Sequence, residues 1–113
     1  MKKKILPIDD DVDFGVLLAG FLAHKNFEVL LAYTLCEGMA VMEKERPEYI
    51  FLDNGLPDGP GWGHAAHIQS LYPLAHLSLV SAWAREVPVS NVRVLEKPIK
   101  IADLMACLQQ PAA

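Results

Sequence analysis

Three consecutive aspartates, Asp9, Asp10 and Asp11, follow a short apolar run, and another aspartate, Asp53, closes a later such run. Ser81 and the pair Lys97-Pro98 end two more. Clustered carboxylates repel and raise each other's pKa unless a cation intervenes. A hard divalent ion such as Mg²⁺ suits an all-oxygen site, where it uses one or two carboxylates with waters and phosphate oxygens. A lysine and a hydroxyl beside the ion complete a set suited to a phosphoryl group, whose transfer depends on positioning and charge neutralisation. An aspartate can itself be the nucleophile, giving an aspartyl phosphate. Singly, each residue has a plainer role: Asp11 as a helix N-cap, Ser81 as a cap for the next segment, Lys-Pro as a loop dipeptide. Their joint occurrence in this order is the specific signal.

The elements that must position them alternate in type. Lys4-Ile5-Leu6-Pro7-Ile8 is a short apolar run, and Phe14, Leu17, Leu18, Phe21 and Leu22 then recur on one helical face. A second run, Phe27 to Ala32, ends at Ala32 and Tyr33 with nothing reactive. Thr34-Leu35-Cys36-Glu37 fits a capping box and opens a helix to about Glu45, and Pro47 enforces a break. Tyr49 to Leu52 is the third run. The stretch from Asn54 to Gly61 holds three glycines and two prolines and must be a loop. A helix from about Trp62 to Leu71, runs at Leu77–Val80 and Val92–Leu95, and a helix marked by Ile101, Leu104, Met105 and Leu108 complete the chain. Strands alternating with helices predict an α/β domain with a parallel sheet, and ligands of such sheets bind beyond the carboxyl ends of the strands. Pro7 is out of place in a buried first strand, because it lacks the N–H that a ladder needs; a local irregularity is expected there.

A chain of 113 residues, 52% hydrophobic, is one domain able to bury a core without disulfides. Ten basic against 14 acidic residues leave a net charge of −4, which argues against direct nucleic-acid binding. No apolar stretch approaches the roughly 20 residues of a membrane span, and the acids after Lys2-Lys3-Lys4 interrupt any signal peptide. Cys36 and Cys107 lie in apolar helical patterns and read as core residues of a reducing compartment. His64 and His67 read as a surface pair, since zinc normally needs three or four ligands. Trp62 reads as a packing residue at a helix start.

In this order, Ile5 to Asp11, Ile50 to Asp58 with Gly61, Val80-Ser81-Ala82 and Leu95-Glu96-Lys97-Pro98 resemble a response-regulator receiver domain of two-component signalling, over nearly the whole chain. The resemblance implies a flavodoxin-like three-layer sandwich whose five parallel strands run in the order 2-1-3-4-5. It implies that Asp53 accepts a phosphoryl group from a histidine kinase or phosphotransfer protein. Asp10, Asp53 and the backbone carbonyl of Gly55 would ligate Mg²⁺, and Asp9 would act through a metal-bound water. Lys97 would neutralise one phosphoryl oxygen, Ser81 would hydrogen-bond another, and a cis bond before Pro98 would aim the lysine inward. Residues 1–110 would be the receiver and 111–113 a tail, in the cytoplasm, signalling by protein–protein contact to a downstream target or to an output domain outside this chain.

Three departures from the family pattern carry expectations. The segment between Ser81 and Lys97 is short by roughly six residues, nearly two turns at ~3.6 residues each, and contains Pro88, so the usual fourth helix should be a stub or an irregular loop. A subgroup of receivers with a degenerate fourth helix is loosely similar here, and some of its members pair with an unusual histidine-kinase subclass. Val94 stands where the family carries the aromatic ring of its usual switch, so phosphorylation is expected to act by ordering or repositioning residues 82 to 92. Gly55 leaves space over the acyl phosphate, and Trp83 could cover it. Two other readings compete. A haloacid-dehalogenase-like phosphatase would use Asp9-Asp10-Asp11, Ser81 and Lys97, but Asp13 stands where Thr or Val is expected, and Asp53 goes unused. A pseudo-receiver that is never phosphorylated would not need the full acid, lysine and hydroxyl set.

Overall fold

The computed structural model describes residues 2–83 and 86–108. In chain order the elements are β1 (Lys3–Ile8), α1 (Val12–Leu22), β2 (Phe27–Val29), α2 (Leu35–Glu45), β3 (Tyr49–Asp53), the two-residue strands β4 (Gly55–Leu56) and β5 (Gly59–Pro60), a 3₁₀ turn (Gly61–His64), α3 (Ala65–Leu71), β6 (His76–Ser81), β7 (Arg93–Glu96) and α4 (Ile101–Leu108). The main sheet is all parallel in the order β2-β1-β3-β6-β7, which counted without the β4–β5 hairpin is the implied 2-1-3-4-5.

Alternation along the strands builds the two covering layers, because successive side chains point to opposite faces. Leu6, Ile8, Ile50, Leu52, Leu77 and Leu79 face Leu35 and Met42 of α2 and Ala65 and Ile68 of α3. Ile5, Tyr49, Phe51, Val80 and Leu95 face Leu18 and Leu22 of α1 and Leu104 and Leu108 of α4. Both faces of the central strands are thus apolar and covered, as parallel strands require. Polar groups belong at the strand ends, where the chain leaves the core.

Pro7 sits inside β1, and its pairing with Phe51 of β3 is unbroken. On the other side, the amides of Leu30 and Ala32 donate to the carbonyls of Ile5 and Pro7, and Asp9 N–H donates to Ala32. The donor missing at Pro7 therefore faces the edge strand. There the ladder lapses, so β2 stops at Val29 and contact resumes only at the Ile8–Ala32 bridge. The expected irregularity is confined to that side, and the run from Phe27 to Ala32 is a shorter strand than its composition suggests.

Two further readings change. The helix expected from Trp62 opens as a 3₁₀ turn and becomes α-helical only at Ala65. Cys107 is buried, but Cys36 is exposed. Cys36 lies in the first turn of α2, whose buried stripe runs through Leu35, Gly38 and Met42, and its side chain points away from that stripe.

Between β6 and β7 no helix forms among the described residues, as the short spacing predicts; Ala84 and Arg85 lie outside them. The second half of this segment is nevertheless anchored. Val89 and Val92 pack on the α2–α3 side of the core, and Gln69 of α3 donates to the Ser90 carbonyl at 3.0 Å. The tail at 111–113, with Gln109 and Gln110, also lies outside the described residues.

Candidate functional site

The carboxyl ends of β1, β3 and β7 bring Asp9, Asp10, Asp53 and Lys97 together. One carboxylate oxygen from each of the three aspartates lies within 4.8 Å of the others. Asp9 and Asp53 are buried and Asp10 is exposed. Asp11 does not join them: its Oδ1 accepts from Phe14 N–H at 3.3 Å, the N-cap of α1, and its own amide donates to Asp9 Oδ1 at 2.9 Å.

Lys97 follows β7, where its amide donates to the Ser81 carbonyl, and a cis peptide joins it to Pro98. Its ammonium reaches between two acids. Nζ donates to Asp9 Oδ1 at 3.2 Å, lies 2.9 Å from Asp9 Oδ2, and lies 3.4 Å from Asp53 Oδ1. Gly55 N–H donates to the other Asp53 oxygen, Oδ2, at 2.9 Å. Burial pushes the Asp53 carboxyl above its ordinary range and the Asp9 charge adds to this, while Lys97 and Gly55 N–H pull the other way. For Lys97, burial lowers the pKa, but Asp9 and then Asp53 more than reverse it and hold the ammonium above its usual value.

Among the described residues one ammonium faces three carboxylates, which it cannot neutralise. Asp9 Oδ2 is buried with no hydrogen-bond partner among the described residues, because Lys97 approaches it closely but off the hydrogen-bonding direction. Three carboxylates whose oxygens converge within 4.8 Å make an all-oxygen cluster that suits a hard divalent cation. Gly55 follows Asp53 by two residues, and its register partner is Pro60, which has no N–H to donate.

Ser81 is buried at the end of β6, but its hydroxyl is engaged elsewhere. Oγ donates to the Trp83 carbonyl at 2.7 Å and accepts from Trp83 N–H at 3.1 Å. Trp83 is 72% exposed, and Val94 is half-exposed on β7.

Sequence reasoning missed three supporting residues. The Trp62 indole N–H is shared between the carbonyls of Leu52 and Val80, at 3.2 and 3.1 Å, and so clamps the ends of β3 and β6. A buried indole N–H must find an acceptor, which is the signal that could have been used. Asn54 Oδ1 accepts from Trp62 N–H at 3.0 Å. Asp58 bonds across the molecule to the start of α2; in sequence it is only a turn residue. A Cβ on Gly61 would run into the Asp53 carbonyl, which explains a glycine there.

No protein-family model matches the chain. The photosynthetic apparatus regulatory protein RegA of Rhodobacter capsulatus is 26% identical over 112 residues, which cover 94% of this chain and 61% of RegA. The chain thus spans about three-fifths of that relative's length. A two-component response regulator from Clostridium difficile superposes with a TM-score of 0.85 at 27% identity, covering 96% of this chain and 93% of the other. A response regulator from Burkholderia pseudomallei, solved with a phosphorylated aspartic acid, a calcium ion and citrate, gives 0.81 at 25%, covering 98% and 69%. None of these three is a haloacid-dehalogenase-type phosphatase.

Proposed function

We propose that this chain, which is a response-regulator receiver domain, takes a phosphoryl group onto Asp53 from a phosphohistidine of a histidine kinase or phosphotransfer protein. The observation that carries the reading is the convergence of Asp9, Asp10 and Asp53 with Lys97 bridging two of them. An Asp53 oxygen attacks phosphorus, the P–N bond breaks, and the imidazole nitrogen departs with the electron pair. Gly55 N–H and Lys97 hold opposite oxygens of the nucleophile and so fix its plane. Lys97 then meets a phosphoryl oxygen in place of Asp53 Oδ1.

Asp10, Asp53 and the Gly55 carbonyl would hold the cation, with Asp9 behind a water; we assign it as Mg²⁺, which favours carboxylates shared with phosphate oxygens. Bound there, it supplies the positive charge that lets a phosphoryl dianion approach clustered acids. For Ser81 to bond the phosphoryl group, its hydroxyl must leave the Trp83 backbone, which then loses both of its bonds to that side chain and is released to move. Beyond this self-modification and its hydrolysis the domain needs no enzymatic activity. Its output passes through protein contacts, to a separate target or to a further domain of a longer regulator, in the cytoplasm and without direct nucleic-acid binding by this domain. Among the described residues no helix is long and apolar enough to cross a membrane.

The test is intact-mass measurement after acetyl phosphate treatment, with and without Mg²⁺. One Mg²⁺-dependent adduct is expected on the wild type and none on Asp53→Asn. Undiminished labelling of that variant would overturn the assignment, and steady turnover of a simple phosphate ester would favour a phosphatase.

A further inference from the structure

The β4–β5 hairpin lies directly after Asp53 and has only two residue pairs, Gly55 with Pro60 and Leu56 with Gly59. Such a ribbon does not hold itself together. Its stem is fixed by buried Leu56 and by Gly61 N–H on the Asn54 carbonyl. At its tip, Asp58 places both carboxylate oxygens on the first turn of α2. Oδ1 accepts from Leu35 N–H at 2.8 Å and Oδ2 from Cys36 N–H at 2.9 Å, across 23 and 22 residues. Those two amides, Cys36 foremost, hold the Asp58 carboxyl below its ordinary range. The cap residue of α2, Thr34, does separate work: its Oγ accepts from Glu37 N–H at 3.1 Å. The start of α2 therefore has two caps, one local and one borrowed from the hairpin beside the phosphoacceptor.

We propose that Asp58 is a positioning residue of the phosphoacceptor site, tethering the hairpin to α2 so that Gly55 stays on Asp53. The chain of contacts runs from the α2 amides to Asp58, along the hairpin to Gly55, and from Gly55 N–H to Asp53 Oδ2. The inference rests on Asp53 being the phosphoacceptor. A plain capping role would account for the stability of α2 but not for any effect on Asp53, and Thr34 provides the control, since its hydroxyl caps the same helix end through Glu37 N–H and not through the hairpin.

The experiment compares the wild type, Asp58→Ala, Asp58→Asn and Thr34→Ala in the full chain. Two quantities are measured: the rate of Asp53 labelling by acetyl phosphate at saturating Mg²⁺, and hydrogen exchange of the Gly55 amide by NMR without phosphodonor. Asp58→Ala should slow labelling about tenfold, the low end of what outer partners of a metal site contribute, and Gly55 should exchange faster. Asp58→Asn, with one oxygen left to accept, should fall between. Thr34→Ala should lower the melting temperature yet keep wild-type labelling and Gly55 protection. Wild-type behaviour of Asp58→Ala in both measurements would overturn the tether, as would equal slowing by Thr34→Ala. If Asp58→Ala does not fold, the contrast between Asp58→Asn and Thr34→Ala decides. Failure of the wild type to label at all would instead sink the phosphoacceptor reading, and Gly55 exchange would still judge the tether.

Discussion

A single ammonium between two buried carboxylates leaves a net negative charge in a place with little water, and the residues involved should register it. Burial first, and the Asp9 charge second, raise the Asp53 pKa in the folded state. The unfolded chain is then the stronger acid, so ionising Asp53 works against folding at pH values above the folded pKa, and the cost disappears as acid protonates the group. Asp53→Asn should therefore raise the melting temperature of the metal-free protein near neutral pH, by about 3 °C; a lower melting temperature would contradict this. Lys97 has the opposite sign. Its raised pKa means that its contribution is complete below the unfolded value and fades as pH climbs through the folded one. Lys97→Ala leaves Asp9 and Asp53 facing each other. It should cost about 2 kcal/mol in denaturant unfolding, less than a fully buried pair because the lysine is partly solvated. The variant should still accept a phosphoryl group but respond weakly to it, since a charge-assisted contact worth ~1.5–3 kcal/mol is gone. Amide NMR shifts on beryllofluoride binding that match the wild type would refute that.

Among the elements, the segment between β6 and β7 differs most from its counterpart in the family pattern. Too few residues and Pro88 foretell that no helix forms there among the described residues. Nothing in the sequence foretells that Val89, Val92 and the Gln69–Ser90 bond anchor its second half to the α2–α3 side. The expected ordering of residues 82 to 92 is thereby narrowed to the part next to Ser81. Hydrogen exchange with Mg²⁺ and beryllofluoride should change at residues 82–83 and stay constant at 89–92. The fluorescence of exposed Trp83 should change with it and the signal should vanish in Trp83→Phe, because Trp62 is buried and clamped between β3 and β6. An unaltered Trp83 signal in fully modified protein would rule out movement of residues 82–83.

For the whole molecule, the acid cluster couples folding to the cation. A ligand bound only by the folded state stabilises it by about 2.7 kcal/mol at a hundred times its dissociation constant. Mg²⁺ should raise the melting temperature in a concentration-dependent way, chelator should reverse the rise, and Asp10→Ala should abolish most of it; a melting temperature indifferent to Mg²⁺ would exclude a folded-state cation site. Much of this was legible without coordinates. The parallel sheet follows from apolar runs alternating with helical periodicity, and the site from acids and a lysine placed where those runs end, because period and strand-end position are local properties of the chain. Other features depend on distances between segments far apart in sequence. The Pro7 gap was readable as an irregularity, but only the placement of β2 decided which side of β1 bears it. Cys36 reads as core until the rotation of α2 turns it to water. Ser81 reads as free for a phosphoryl oxygen until the backbone of Trp83 folds onto it. Asp58 reads as a turn residue until packing carries the hairpin to α2, since hydrogen bonds across 22 residues leave no periodic trace in the sequence.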